Sequence, residues 1–136
     1  MIGRGRLHHV AYVVHDIDAA LPALAGRLGM TESVRETMDE QGVEAVMLRA
    51  GPAWVELIRP LDPEGAIARF LGARGEGLHH VAYAVDDLEG ALTALAAEGA
   101  ELIDPRPRRG LGGHRVAFVH PRSGLGALTE LVEEHG

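Results

Sequence analysis

One string occurs twice in this chain. LHHVAYVVHDIDAALPALA starts at Leu7 and LHHVAYAVDDLEGALTALA starts at Leu78, identical at 13 of 19 positions with a constant offset of 71. Two copies of one short unit build two copies of one supersecondary element, so the fold must accommodate an internal pseudo-twofold. Each copy opens with a histidine pair on an apolar run. Each also closes on an apolar run carrying one acid, Trp54-Val-Glu56-Leu-Ile in the first and Leu128-Thr-Glu130-Leu-Val in the second.

With 136 residues, 46% of them hydrophobic, the chain has the size and composition of one globular domain. Its 13 basic against 20 acidic residues give a net charge of −7, which disfavours a nucleic-acid-binding surface. Cysteine is absent, so any metal must be held by nitrogen and oxygen, and neither disulfides nor a thiol nucleophile are available. The N-terminal sequence has no apolar signal-peptide core, and no apolar run approaches the roughly 20 residues that span a bilayer. A cytoplasmic protein without membrane partners is expected.

Within the first copy, Leu7 to Val14 reads as a buried strand. A helix follows, capped by Asp16 or Asp18 and stopped at Gly29, with Pro22 removing one of its hydrogen bonds. Ser33 to Thr37, Val43 to Arg49 and Ala53 to Arg59 read as three more strands. The second copy repeats the order: strand Leu78 to Val85, a helix with Asp86 and Glu89 at capping-box spacing and Gly99 as its stop, then strands near Glu101 to Ile103, His114 to Val119 and Ala127 to Val132. Between them, a linker at about 61–77 carries one short amphipathic helix around Ile67, Ala68, Phe70 and Leu71. Two tandem βαβββ modules, at about 5–60 and about 78–134, are thus expected to pack as a single α+β domain, because a unit of about 60 residues is marginal alone.

Alternation puts His9, Ala11 and Val13 on one strand face and His8, Val10, Tyr12 and Val14 on the other, with His80 and His79 divided the same way. The bulky face is the one a helix is expected to cover. The small alanines beside His9 and His80 leave room for a ligand, so these two are the candidate metal-binding histidines, and His8 and His79 read as packing or edge residues. Glu56 and Glu130 in mid-strand are costly to bury unless a cation or donors compensate them. The alternative is that both face solvent while Val55, Leu57, Thr129 and Leu131 pack. Matching positions in two repeats favour a shared concave metal site of His9, Glu56, His80 and Glu130. That donor set suits a divalent ion in a Lewis-acid role: cobalt, manganese, nickel, iron or zinc. His114 and His120 near strand ends, and His15 and His135, read as structural or solvated.

These features resemble the vicinal oxygen chelate superfamily. Ala66-Ile-Ala-Arg-Phe-Leu, Arg74-Gly-Glu-Gly-Leu-His-His-Val-Ala, Gly112-Gly-His-Arg-Val-Ala-Phe-Val-His-Pro-Arg-Ser-Gly and Leu128-Thr-Glu-Leu are similar, in content and order, to its methylmalonyl-CoA epimerases. The resemblance implies metal ligands at His9, Glu56, His80 and Glu130 and an isomerase acting on an acyl-CoA, with Glu130 serving also as an acid/base group. It suggests a homodimer. Some such epimerases place a second acid/base glutamate two residues after the valine of a Gln-Gly-Val string, where this chain has Ala45. Glu44 next to it is the candidate second catalytic residue if the register shifts by one; otherwise it faces away. Arg106, Arg108 and Arg109 form a basic loop that could meet coenzyme A phosphates. Two other readings are a glyoxalase I-like lyase and a metal-free, ligand-sequestering binder.

Overall fold

The short stretch after β1 shows how local chemistry sets the elements. Asp16 caps α1 (Ile17–Leu21), its carboxylate accepting from the Ala19 N–H at 3.2 Å. Pro22 has no N–H to donate to the turn below it, and the helix widens there into a π-helical segment, Pro22–Arg27. Gly29, at φ 73°, ends it in the left-handed conformation. The hydrogen bond that Pro22 removes is thus missing after the first turn of the helix.

This computed structural model describes residues 2–135. Among the described residues, eight strands form a mixed sheet: β1 (Gly3–Val13), β2 (Thr31–Met38), β3 (Val43–Ala50), β4 (Ala53–Pro60), β5 (Gly77–Val85), β6 (Arg108–Arg109), β7 (Arg115–Val119) and β8 (Thr129–Glu133). Their order is β2-β3-β4-β1-β5-β8-β7-β6, so the two copies arrange their four strands alike. The fold is α+β. The helix expected between the copies is α2 (Ala66–Arg74). The last helix is α3 (Leu88–Ala97).

Two compact units can be distinguished. One comprises residues 10–79 and the other residues 1–9 with 80–136. In the first, β2, β3 and β4 are successive antiparallel neighbours, with Met47 opposite Glu56 and Glu44 opposite Arg59. Ile17 of α1 packs with Val46, Leu48, Val55 and Leu57, and Leu21 and Leu24 add to that cluster. In the second, β5 and β8 run parallel and β8 and β7 antiparallel, placing Ala82, Glu130 and Phe118 in one row. Leu88, Ala91 and Leu92 of α3 cover Ala117, Val119 and Leu131.

Three expectations need correcting. The α3 cap is Asp87, not Asp86: the Asp87 carboxylate accepts from the Gly90 N–H at 3.0 Å. Glu101 to Ile103 forms no strand; Leu102 makes a single bridge to Val119, and the strand beside β7 is Arg108–Arg109, after Pro105 and Pro107 have interrupted the donors. The bulky face of β1 and β5 is not fully helix-covered. In each unit the helix sits over the neighbouring strands and leaves Tyr12 and Tyr83 exposed, whereas Ala11, Val13, Ala82 and Ala84 are buried.

Candidate functional site

The unit built from residues 1–9 and 80–136 gathers three of the four candidate ligands. His9 comes from β1, His80 from β5 and Glu130 from β8, where parallel register sets Glu130 beside Ala82, two residues beyond His80 on the same face. All three are buried. His9 Nε2 lies 3.2 Å from His80 Nε2, and Glu130 Oε1 lies 3.0 Å from His9 Nε2 and 3.5 Å from His80 Nε2. Phe118 stands edge-on to His80, with ring centroids 5.1 Å apart. The room expected beside His80 is partly taken, since Ala82 packs against Val116 and Val132.

These separations fit a common cation. Ligands about 2.1 Å from one metal ion lie about 3.0 Å apart at a right angle and about 3.4 Å apart at the tetrahedral angle. Glu130 Oε1 is buried without an aligned hydrogen-bond donor, an arrangement that is costly unless a positive charge meets it. Burial alone pushes the Glu130 carboxyl up, but the two imidazoles facing it outweigh that and hold it below the usual carboxylate range. It is therefore an anion at neutral pH, as a cation ligand has to be.

Glu56 is placed on β4 of the other unit, buried and opposite Met47. Glu44 is on the other face of β3 from Ala45. Its carboxylate is shared between Arg35 (3.2 Å) and Arg59 (3.1 Å), beside Val46 and Leu48 on the helix-covered side. β3 keeps its register through Ala45 opposite Ile58, with none of the one-residue shift on which a catalytic Glu44 depends.

His8, which alternation reads as a packing or edge residue, is buried, and its Nδ1 lies 2.7 Å from His9 Nδ1. Its Nε2 is 3.4 Å from Glu134 Oε2. Burial, and then the neighbouring His9, lower the His8 pKa to about 4, so the ring is neutral at pH 7. The signal available in the sequence was the doubled histidine itself. His79 instead packs edge-on against Phe70. His120 Nδ1 accepts from the Arg122 N–H, a structural cap; His114 and His15 are exposed, and so is His135. In the basic loop, Arg108 lies over the Phe118 ring at 4.9 Å and pairs with Asp104 at 3.2 Å.

Residues 8–118 match the glyoxalase/bleomycin resistance protein/dioxygenase superfamily. The chain belongs to that superfamily. An uncharacterised protein of Bacillus subtilis is 37% identical over 131 residues, covering 96% of this chain and 94% of its own. The mitochondrial methylmalonyl-CoA epimerase of Dictyostelium discoideum is 34% identical over 134 residues, covering 98% and 81%. The crystal structure of methylmalonyl-CoA epimerase from Mycobacterium tuberculosis superposes with a TM-score of 0.90 at 35% identity, covering 96% and 89%. A methylmalonyl-CoA epimerase in complex with methylmalonyl-CoA and ammonium gives 0.90 at 31% identity, covering 96% and 95%. No helix among the described residues is long and apolar enough to cross a membrane.

Proposed function

We propose that this chain is a metal-dependent epimerase of a 2-carboxyacyl-CoA, with methylmalonyl-CoA as its substrate. The observation that carries the reading is the convergence of His9, His80 and the donor-poor Glu130 oxygen at 3.0 to 3.5 Å. Glu56 is assigned as the fourth ligand, from its place in the first copy corresponding to Glu130 in the second. The relatives and solved neighbours that carry the epimerase name support the substrate class.

A divalent ion bound there would supply Lewis acidity toward the negative charge that develops on the thioester oxygen as the α-proton leaves. Glu130 is the proposed acid/base group on one face of the substrate carbon. The other face has no carboxylate from β3, because Ala45 occupies the position and Glu44 is held by arginines. That absence keeps a second reading in play, a different metal-assisted reaction on the same scaffold such as a glyoxalase I-like lyase. A cytoplasmic homodimer completes the proposal.

The test is incubation of one methylmalonyl-CoA epimer with cobalt-loaded protein in deuterated water. The epimerase reading expects deuterium at the α-carbon and growth of the other epimer. Lack of exchange with each of cobalt, manganese, nickel, iron and zinc removes it. Glu130→Gln is expected to cut turnover by about 10²–10⁴-fold, the usual contribution of a positioned acid/base group.

A further inference from the structure

We propose that His8 is a positioning residue that sets the tautomer of His9, as the middle member of a relay running Glu134, His8, His9. This inference rests on the cation-site part of the proposed function. Imidazoles that bind a metal through one nitrogen have their orientation and tautomer fixed by the partner of the other nitrogen, usually a carboxylate or a backbone carbonyl. Here that partner is a second imidazole. His8 Nδ1 and His9 Nδ1 are 2.7 Å apart and both rings are buried, so one nitrogen carries the proton and the other accepts it.

Two arrangements satisfy that contact, and they have opposite consequences. If His8 Nδ1 carried the proton, His9 would be protonated on Nε2, the nitrogen facing Glu130 and His80, and would be unable to ligate. The bare His8 Nε2 would then confront the Glu134 carboxylate at 3.4 Å, lone pair against anion. If His9 Nδ1 carries the proton and donates it to His8, the His8 proton moves to Nε2 and points at Glu134, and His9 Nε2 presents its lone pair to the site. With a cation bound at His9 Nε2, Glu134 therefore selects the second arrangement; without one, the Glu130 carboxylate 3.0 Å from His9 Nε2 draws the proton there and favours the first. The position of Glu134 is fixed from two sides: Arg6 Nη1 donates to its Oε1 at 2.7 Å, and its backbone N–H donates to the Val85 carbonyl at 2.9 Å. A surface ion pair thereby prepares a buried ligand two rings away.

The experiment uses the full-length ¹⁵N-labelled protein, metal-free and zinc-loaded, in long-range proton–nitrogen NMR spectra that report which ring nitrogens carry hydrogen. The expected result in the zinc-loaded protein is protonated His9 Nδ1, bare His8 Nδ1 and protonated His8 Nε2, whereas the metal-free protein is expected to carry the His9 proton on Nε2, facing Glu130. A protonated His8 Nδ1 in the zinc-loaded protein overturns the relay. Chelator competition then compares variants. His8→Phe keeps a ring but offers no acceptor, and is expected to weaken zinc binding by about 10–100-fold. His8→Asn puts an oxygen where Nδ1 stood and is expected to stay within about threefold of the parent. His8→Phe binding as tightly as the parent, or His8→Asn as weakly as His8→Phe, overturns the proposal. A protein that binds zinc with these properties but exchanges no α-proton removes the epimerase reading and leaves the relay standing.

Discussion

At the scale of single residues, β-strand alternation decides more than residue type does. Glu44 and Ala45 differ by one position, and the register of β3 against β4 sends them to opposite faces. Glu44→Gln should lose its ion pairs with Arg35 and Arg59 at a cost of about 0.5–1 kcal/mol in urea unfolding, since these side chains are partly exposed, and leave α-proton exchange unchanged. A collapse of exchange in that variant would contradict the placement. Alternation made this legible in the sequence, and it singled out His9 and His80 as well. For His8 it gave a packing or edge position, in keeping with the buried ring, but not the contact with His9, because the face on which a Cβ sits does not fix where a ring nitrogen reaches. The His8 ring, neutral in the fold with a pKa near 4 against 6.5 when unfolded, also has a pH signature. Between those values the unfolded chain binds more protons, so this stabilisation is fully present above 6.5 and is lost as pH falls toward 4. The loss is on the order of 2 kcal/mol for the metal-free protein. Urea titrations at pH 7 and 4.5 should show the parent losing more stability than His8→Phe.

At the scale of elements, the repeat carries more information than local motifs. Asp16 and Asp87 are related by the same offset of 71 as the histidines, and both are the observed N-caps. Capping-box spacing instead pointed to Asp86, a local pattern that competed with the repeat and lost. Gly90 explains the departure. A Cβ there would stand 2.4 Å from Asp87 Oδ2, so glycine leaves the capping carboxylate its place. Asp87→Ala should cost about 1 kcal/mol. Gly90→Ala should fail to return the roughly 0.5 kcal/mol that alanine normally adds in a helix, and should return it when Asp87 is already alanine. Equal effects of Gly90→Ala in both backgrounds would show that cap and glycine are uncoupled. The strand misplaced at Glu101 to Ile103 has a similar cause. Apolar patterning reads Leu102 and Ile103 as strand, but Pro105 and Pro107 limit pairing there to one bridge, and Arg108–Arg109 takes the edge beside β7.

At the scale of the whole molecule, the compact units do not coincide with the sequence copies. The division falls between His9 and Val10 in β1 and between His79 and His80 in β5, so the chain passes from one unit to the other beside each of the two candidate histidines. Repeat logic could find the strands and their order but not this division, which depends on long-range packing. Its consequence is that His9 keeps company with His80 and Glu130 although it belongs to the other copy. A cation bound there ties segments far apart in sequence and binds the folded chain only, so it must add to global stability by mass action. With free zinc at 100 times its dissociation constant the gain is about 2.7 kcal/mol, and chelation should lower the midpoint of urea unfolding accordingly. In Glu130→Gln the same chelation should shift the midpoint far less, because a neutral amide oxygen replaces the buried anion among the donors. Equal shifts in parent and variant would place the stabilising ion elsewhere on this acidic chain and separate the His9–His80–Glu130 cluster from metal binding.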